Sequence, residues 1–134
     1  MDMIRVGVVG AGETGTPFLR QLLAADFVEV VGVADLDRDA PGMALAREHG
    51  RPTTLDFMDL VDLGAGVDIL IDVTGVPEVR DGMRLHMQET GNRHTIIMHE
   101  QIAVLMMSLS AGSLVASKHG AVDYGAPVPE SAGR

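Results

Sequence analysis

Short apolar runs alternate with amphipathic segments along this chain. Four runs have the length of buried strands, namely residues 4–9, 28–34, 68–73 and 94–98, and a short strand is expected at 53–55. The segments between and after them carry apolar residues at helical spacing, which predicts helices after residue 15 and over 39–50, 57–63, 78–90 and 101–111. Regular alternation with short connections is typical of a doubly wound α/β fold. We therefore predict a parallel sheet of strand order 3-2-1-4-5 between two helical layers.

Polar caps and glycines mark the ends of several predicted helices. Asp39, Pro41 and Gly50 bracket the second helix, with the aspartate as its expected cap. Asp56 is expected to cap the third helix, and Gly91 is expected to end the fourth.

The connection after the first strand is rich in glycine. Gly10, Gly12 and Gly15 form a G-x-G-x-x-G pattern between a valine-rich strand and a helix, and this order makes the pattern more specific than the glycines alone. Gly10 would allow a sharp turn, Gly12 the approach of a pyrophosphate, and Gly15 close packing of helix on strand. The predicted phosphate-binding residues are Gly10, Ala11, Gly12, Glu13, Thr14 and Gly15.

Asp35 ends the second apolar run, about 20 residues beyond the last glycine, where a dinucleotide fold places an acid for the adenosine ribose. A carboxylate there repels a 2′-phosphate, so we expect NAD, with NADP less favoured. Arg38 lies three residues further on and could pair with that phosphate, which would soften the preference. The alternative is that Asp35 only begins a turn, with Asp37 and Asp39 as solvated neighbours.

Three segments together resemble the N-terminal half of the glucose-fructose oxidoreductase and inositol dehydrogenase superfamily. They read Val-Val-Gly-Ala-Gly at 8–12, Val-Gly-Val-Ala-Asp at 31–35 and Asp-Ile-Leu-Ile-Asp-Val-Thr at 68–74, within a similarity over about residues 3 to 110. Aspartate, homoserine and acetaldehyde dehydrogenases begin in much the same way. The resemblance implies an NAD(P)-binding Rossmann domain. It also adds the turn after the fourth strand to the cofactor site, namely Thr74, Gly75, Val76 and Pro77.

The chain departs from that superfamily where its enzymes do chemistry. The family's Glu-Lys-Pro after strand five is replaced by His99, Glu100 and Gln101, and the family's histidine after the strand-four turn is absent from 78–83. His99 is the candidate catalytic residue, because an imidazole can act as acid or base beside a nicotinamide ring. The alternative is that His99 lines a strand end while Glu100 begins a helix, where negative charge is favourable.

Composition and charge exclude several other classes of protein. A net charge of −9 with ten lysines and arginines argues against nucleic acid or an anionic membrane as partner. The absence of cysteine excludes disulfides and thiolate zinc sites. Position 103 is alanine where a zinc H-E-x-x-H needs its second histidine, so we expect no metal.

The longest apolar run, 102–107, is too short to span a bilayer, and the N-terminus leads directly into a strand. We expect a cytoplasmic protein.

The last predicted helix is apolar all round. Ile102, Leu105 and Leu109 form one stripe, yet Val104 and Met107 make the opposite side apolar as well. Such a helix should be covered on every side, so we expect a homo-oligomer, most simply a dimer, or a partner subunit bound through residues 101–111.

The dinucleotide-binding domain is expected to span residues 1–112. The remaining 113–134 is expected to be an irregular tail, or to dock on a partner or fold back over the helix.

Three functional hypotheses remain open. In the first, the chain is an NAD(H)-binding module that senses the cofactor or holds it for an assembly. In the second, it is an oxidoreductase completed by a partner chain or dimer mate around His99 and the Thr74–Gly75 turn. The third possibility is an oligomeric scaffold that binds no nucleotide.

Overall fold

The structure, a computed structural model, describes residues 2–115. Its five strands are β1 (Ile4–Val9), β2 (Val28–Ala34), β3 (Thr53–Thr54), β4 (Ile69–Asp72) and β5 (Ile96–Met98). All neighbouring strands pair in parallel, and their order is β3-β2-β1-β4-β5. This is the predicted order, and it confirms the Rossmann-like fold.

Between residues 2 and 115, five α-helices cover the two faces of the sheet. They are α1 (Thr16–Ala24), α2 (Pro41–Glu48), α3 (Met58–Val61), α4 (Pro77–Thr90) and α5 (Glu100–Ala111). Helices α1, α2 and α5 pack on one face through buried residues such as Phe18, Met43 and Met107. Helices α3 and α4 pack on the other face through Leu60 and Met83. The predicted three-layer arrangement is therefore present.

Side-chain hydrogen bonds explain two differences from the predicted elements. The fifth strand begins at Ile96 rather than His94, because the His94 ring contacts Asp68 and the Thr95 hydroxyl donates to the Val67 carbonyl at 2.8 Å. Asp39 does not cap α2, because its N–H donates to Asp37 Oδ1 at 2.9 Å in the preceding turn, and the N-cap of α2 is Ala40.

Two further helix ends can be compared with the predictions. The N-cap of α3 is Phe57 and not Asp56, but the Asp56 carboxylate accepts a hydrogen bond of 3.0 Å from the N–H of Met58, the first residue of the helix. Helix α4 ends at Gly91, which has a φ of 71°, the left-handed conformation common after a helix.

A partly buried ion pair lies at the amino ends of the central strands. The Arg5 guanidinium and backbone N–H both donate to the Asp68 carboxylate, at 2.9 Å and 2.8 Å, and His94 Nε2 lies 2.6 Å from the same group. These hydrogen bonds hold the pKa of Asp68 well below its usual range, and the Arg5 contacts contribute most. The cluster ties β1 to the start of β4 and to the segment before β5.

The predicted tail begins inside the described residues and continues outside them. The N–H of Val115 donates to the Ser108 hydroxyl at 3.0 Å, which fastens the chain after α5. Residues 116–134, most of the predicted tail, lie outside the part described. Within 2–115, no helix combines the length and apolar character needed to cross a bilayer.

Candidate functional site

A cavity of about 520 Å³ opens at the carboxyl ends of β1, β2 and β4. It lies at the point where the strand order reverses direction, which is where open α/β sheets bind ligands. Its walls are the glycine-rich loop 10–15, the segment 34–36 after β2, the turn after β4, and the side chains of Pro41, Leu55, Phe57, Val79 and Met107.

Gly10 makes the turn out of β1. Its φ of +103° is a conformation that side-chain-bearing residues rarely adopt. A Cβ at this position would also lie 2.6 Å from Val73 Cγ2. The N–H of Gly10 donates to the Ala34 carbonyl at 2.8 Å, so the loop leaves the sheet from a fixed position beside β2.

The peptide groups that follow are available to a ligand. Residues 13–15 form a 3₁₀ turn that leads into α1, and the N–H groups of Gly12, Glu13 and Thr14 meet no hydrogen-bond acceptor among residues 2–115. Free N–H groups at the start of helical structure carry partial positive charge. This loop is therefore suited to an anionic group such as a diphosphate.

Gly15 borders a different element from the one expected. The sequence pattern assigned it close packing of α1 on the strand, but the nearest heavy atom to a Cβ there would be Met107 Sδ of α5, at 3.4 Å. The physical reason is that α5 crosses beside the start of α1 and occupies that space. Gly15 thus lets α5 approach the loop, and Met107 becomes part of the cavity wall.

Asp35 is held by two backbone N–H groups. Its Oδ2 accepts from Ala11 at 2.7 Å, and its Oδ1 accepts from Asp37 at 2.9 Å. The carboxylate therefore does organise a turn, as the alternative interpretation supposed, yet it also lines the cavity next to the glycine-rich loop 10–15. Arg38 is exposed and is not among the residues that line this cavity.

Three apolar side chains flank Asp35 in the cavity wall. Leu36 is 91% exposed, Leu55 is 45% exposed, and Phe57 is half-buried. Exposed apolar side chains beside a carboxylate provide a surface for a flat apolar ring. Sequence reasoning missed them, although Leu36 stands out as an apolar residue in a charged segment.

The turn after β4 is stabilised by a buried carboxylate. Asp72, only 2% exposed, accepts hydrogen bonds from the Thr74 N–H at 2.9 Å and hydroxyl at 2.6 Å. The Thr74 hydroxyl in turn accepts from the N–H of Val76 at 3.1 Å. Thr74 and Val76 line the cavity, whereas Gly75 and Pro77 lie in the same turn outside the lining.

His99 lies at the N-cap of α5, directly after β5. Its Nδ1 is buried and has no hydrogen-bond partner among the described residues. Burial and the nearby Arg84 lower the pKa of His99, against an opposing effect of Asp72. The lowered pKa favours the neutral imidazole. It does not line the cavity, so the structure does not bring the candidate catalytic residue into contact with the loop 10–15 site.

The cavity wall contains no basic side chain within the described residues, and it contains two carboxylates, Glu13 and Asp35. Backbone amides are thus the positive groups available to a bound phosphate. No cluster of three or more histidine or acidic residues suited to a metal ion occurs between residues 2 and 115.

Comparisons with known proteins point to the same fold. No protein-family model matches the chain. The chain is 37% identical over 59 residues to an acetaldehyde dehydrogenase of Pseudoalteromonas translucida, which covers 44% of this chain and 20% of that protein. It is 31% identical over 75 residues to the acetaldehyde dehydrogenase of Chloroflexus aurantiacus, and this match covers 55% of this chain and 25% of that protein. The chain thus spans about a quarter or less of the length of these curated relatives.

Solved structures of dehydrogenases resemble most of the chain. Myo-inositol 2-dehydrogenase from Lactobacillus plantarum matches 84% of it with a TM-score of 0.55 and 20% identity, over 34% of the enzyme. GenD2 from gentamicin A biosynthesis, solved with NAD, matches 84% of this chain and 32% of its own, with a TM-score of 0.57 and 18% identity. A 3-ketoreductase from Actinomadura kijaniata, solved with NADP, matches 82% of this chain and 35% of its own, with a TM-score of 0.52 and 18% identity. At these identities the likeness shows the shared Rossmann-like fold.

Proposed function

We propose that this chain is an NAD(H)-binding module that senses the cofactor or holds it for a larger assembly. One observation carries the proposal: the N–H groups of Gly12, Glu13 and Thr14 meet no acceptor in the described chain and border a cavity that ends at a carboxylate. A dinucleotide has the matching order of groups, with a diphosphate between two ribose rings. GenD2, which has a similar fold, was solved with NAD bound.

Each part of the dinucleotide has a counterpart in the cavity wall. The diphosphate would accept hydrogen bonds from the loop amides, and the adenosine ribose hydroxyls would donate to Asp35. The adenine ring would lie against Leu36 and its apolar neighbours. The nicotinamide half would extend toward Thr74 and Val76 at the turn after β4.

The charge of the cavity favours NAD over NADP. A 2′-phosphate would approach Asp35, whose position is fixed by two backbone N–H groups, and no arginine or lysine lines the described wall to compensate. Like charges in close contact weaken binding. Since the A. kijaniata neighbour was solved with NADP, the preference rests on the local residues and not on the fold.

The proposal is tested by titrating NADH into the purified protein and recording NADH fluorescence. Gly12→Ala places a methyl group where the diphosphate approaches, and we expect its Kd to rise at least about tenfold. Gly66→Ala is the matched control, because a Cβ there meets only Leu63 Cβ at 3.9 Å, far along the chain from the loop. If the wild-type protein binds no NADH, the module is a scaffold and the proposal fails.

A second candidate function is an oxidoreductase completed by another chain. The acetaldehyde dehydrogenases that match part of the chain favour it, as does the position of the His99 imidazole at the carboxyl end of β5, on the side of the sheet where the cavity opens. His99 lies outside the cavity wall, so a second chain would have to bring the substrate to it. The test is hydride transfer, followed as NAD+ reduction with a panel of aldehydes, sugars and polyols, and as NADH oxidation with the aldehydes. If His99→Ala leaves an observed turnover unchanged, His99 is not catalytic.

We further propose that the protein acts as a homodimer through α5, in the cytoplasm. Ile102, Leu105 and Leu109 lie 51%, 52% and 68% exposed on this helix, at a spacing of three and four residues. Residues 101–117 carry no charged side chain, although the chain has a net charge of −9. An uncharged apolar face is self-complementary, so a second copy can bind there without charge repulsion at the contact.

A further inference from the structure

The peptide group of Ala11 is held from two sides. Its N–H donates to Asp35 Oδ2 at 2.7 Å, and its carbonyl accepts from the N–H of Gly42 at 2.8 Å. Asp35 directly follows β2, and Gly42 is the second residue of α2. The Ala11 peptide is therefore held by the end of one strand and the start of one helix. Ala11 itself is only 3% exposed.

Gly42 allows this arrangement because it has no side chain. A Cβ at Gly42 would lie 2.9 Å from Ala11 Cβ, 3.0 Å from Ala11 O and 3.1 Å from Ala11 Cα. Two of these atoms belong to the backbone, which cannot turn aside as a flexible side chain can. Any side chain at position 42 therefore pushes either α2 or the loop away.

Ala11 immediately precedes the three loop amides that face the cavity. With its own N–H bonded to Asp35, Ala11 does not contribute a donor to a phosphate, and it acts instead as the fixed point from which residues 12–14 extend. Donors that are already in position lose less entropy when a ligand binds.

We infer that Gly42 is a positioning residue for the phosphate loop, and that Asp35 serves this loop as well as the ribose. This inference rests on the proposed dinucleotide function. Gly42 would act without touching the ligand, by holding the Ala11 peptide so that the amides of residues 12–14 are preset before the dinucleotide arrives.

The experiment compares Gly42→Ala with Gly66→Ala by NADH titration and by thermal unfolding. We expect Gly42→Ala to raise the Kd for NADH at least about tenfold at a temperature where it is fully folded. Gly66→Ala should bind as the wild type does. A purely structural role would lower the unfolding temperature of Gly42→Ala and leave its Kd unchanged, and this result would overturn the inference. If the wild type binds no NADH, the proposed function fails first.

Amide hydrogen exchange of the unliganded wild type gives a second measurement that needs no variant to fold. The N–H groups of Ala11 and Gly42 should exchange more slowly than those of Gly12, Glu13 and Thr14, because only the former pair is hydrogen-bonded. Equal, fast exchange at Ala11 and Gly12 would mean that the peptide is not held in solution, and the inference would be wrong.

Discussion

The carboxylate of Asp35 and the backbone nitrogen of Ala11 lie 2.7 Å apart, although 24 residues separate them along the chain. This hydrogen bond links the residue proposed to bind the ribose to the loop proposed to bind the diphosphate. The two halves of the candidate site are therefore one connected structure, and a change in one should be felt in the other.

Replacing Asp35 should weaken the preference for NADH over NADPH. In Asp35→Asn, the amide oxygen can still accept one of the two backbone hydrogen bonds, and the charge that repels a 2′-phosphate is gone. We expect the ratio of the Kd for NADPH to the Kd for NADH to fall by about tenfold, which corresponds to about 1.4 kcal/mol. Titration with both cofactors measures it. Asp37→Asn is the control, since its carboxylate does not line the cavity, and an unchanged ratio in Asp35→Asn would contradict the assignment.

Glu13 should oppose the binding of a diphosphate. It is exposed, it belongs to the loop whose amides face the cavity, and it carries the same sign of charge as the phosphates. Glu13→Gln should therefore lower the Kd for NADH by about twofold to fivefold at low salt, with a smaller gain at high salt because exposed charges are screened. Glu48→Gln, at the far end of α2, serves as the control. Weaker binding by Glu13→Gln would show that the carboxylate contacts the ligand favourably.

Asp68 should make the stability of the fold depend on pH in the acid range. The pKa of Asp68 is lowered in the folded protein by Arg5, so its contribution is present above the ordinary aspartate pKa of about 4 and is lost as the pH falls below that value. Urea unfolding from pH 7 to pH 3 should show a steeper loss for the wild type than for Asp68→Asn, which starts less stable. Asp81→Asn, an exposed residue, should follow the wild type. Parallel curves for wild type and Asp68→Asn would refute this account.

A charge on the exposed face of α5 should separate the proposed dimer. Leu105 is 52% exposed at the middle of the apolar stripe, and a glutamate there would be buried without a partner in the interface. Light scattering should give the mass of a dimer for the wild type at micromolar concentration and of a monomer for Leu105→Glu. Leu63→Glu tests an exposed leucine away from α5 and should remain dimeric. A monomeric wild type ends the proposal.

The fold could be predicted from the sequence because its signals are local. Short runs rich in valine, isoleucine and leucine marked β1, β2 and β4, and parallel strands with helical crossovers allow few arrangements. The boundary errors have a different origin. His94 and Asp39 lie in segments whose partners, Asp68 and the turn at Asp37, are revealed only once the chain is folded.

The candidate site was only partly predictable for the same reason. The glycine loop and Asp35 follow a spacing pattern that a single sequence displays. Gly42 has no such pattern, because its role depends on contact with Ala11 across 31 positions, and the same holds for Met107 beside Gly15. The placement of His99 outside the cavity depends on how α5 packs, which its nearly uniform hydrophobicity does not determine.

Backbone resonances of the loop test the central claim most directly. An NMR titration of the isotope-labelled protein with NADH should shift the amide signals of Gly12, Glu13 and Thr14, together with Asp35, while that of Gly66 stays in place. This result would locate the diphosphate on the free N–H groups at the start of α1. If millimolar NADH leaves the three loop amides unshifted, or if the shifts cluster elsewhere, the account is contradicted.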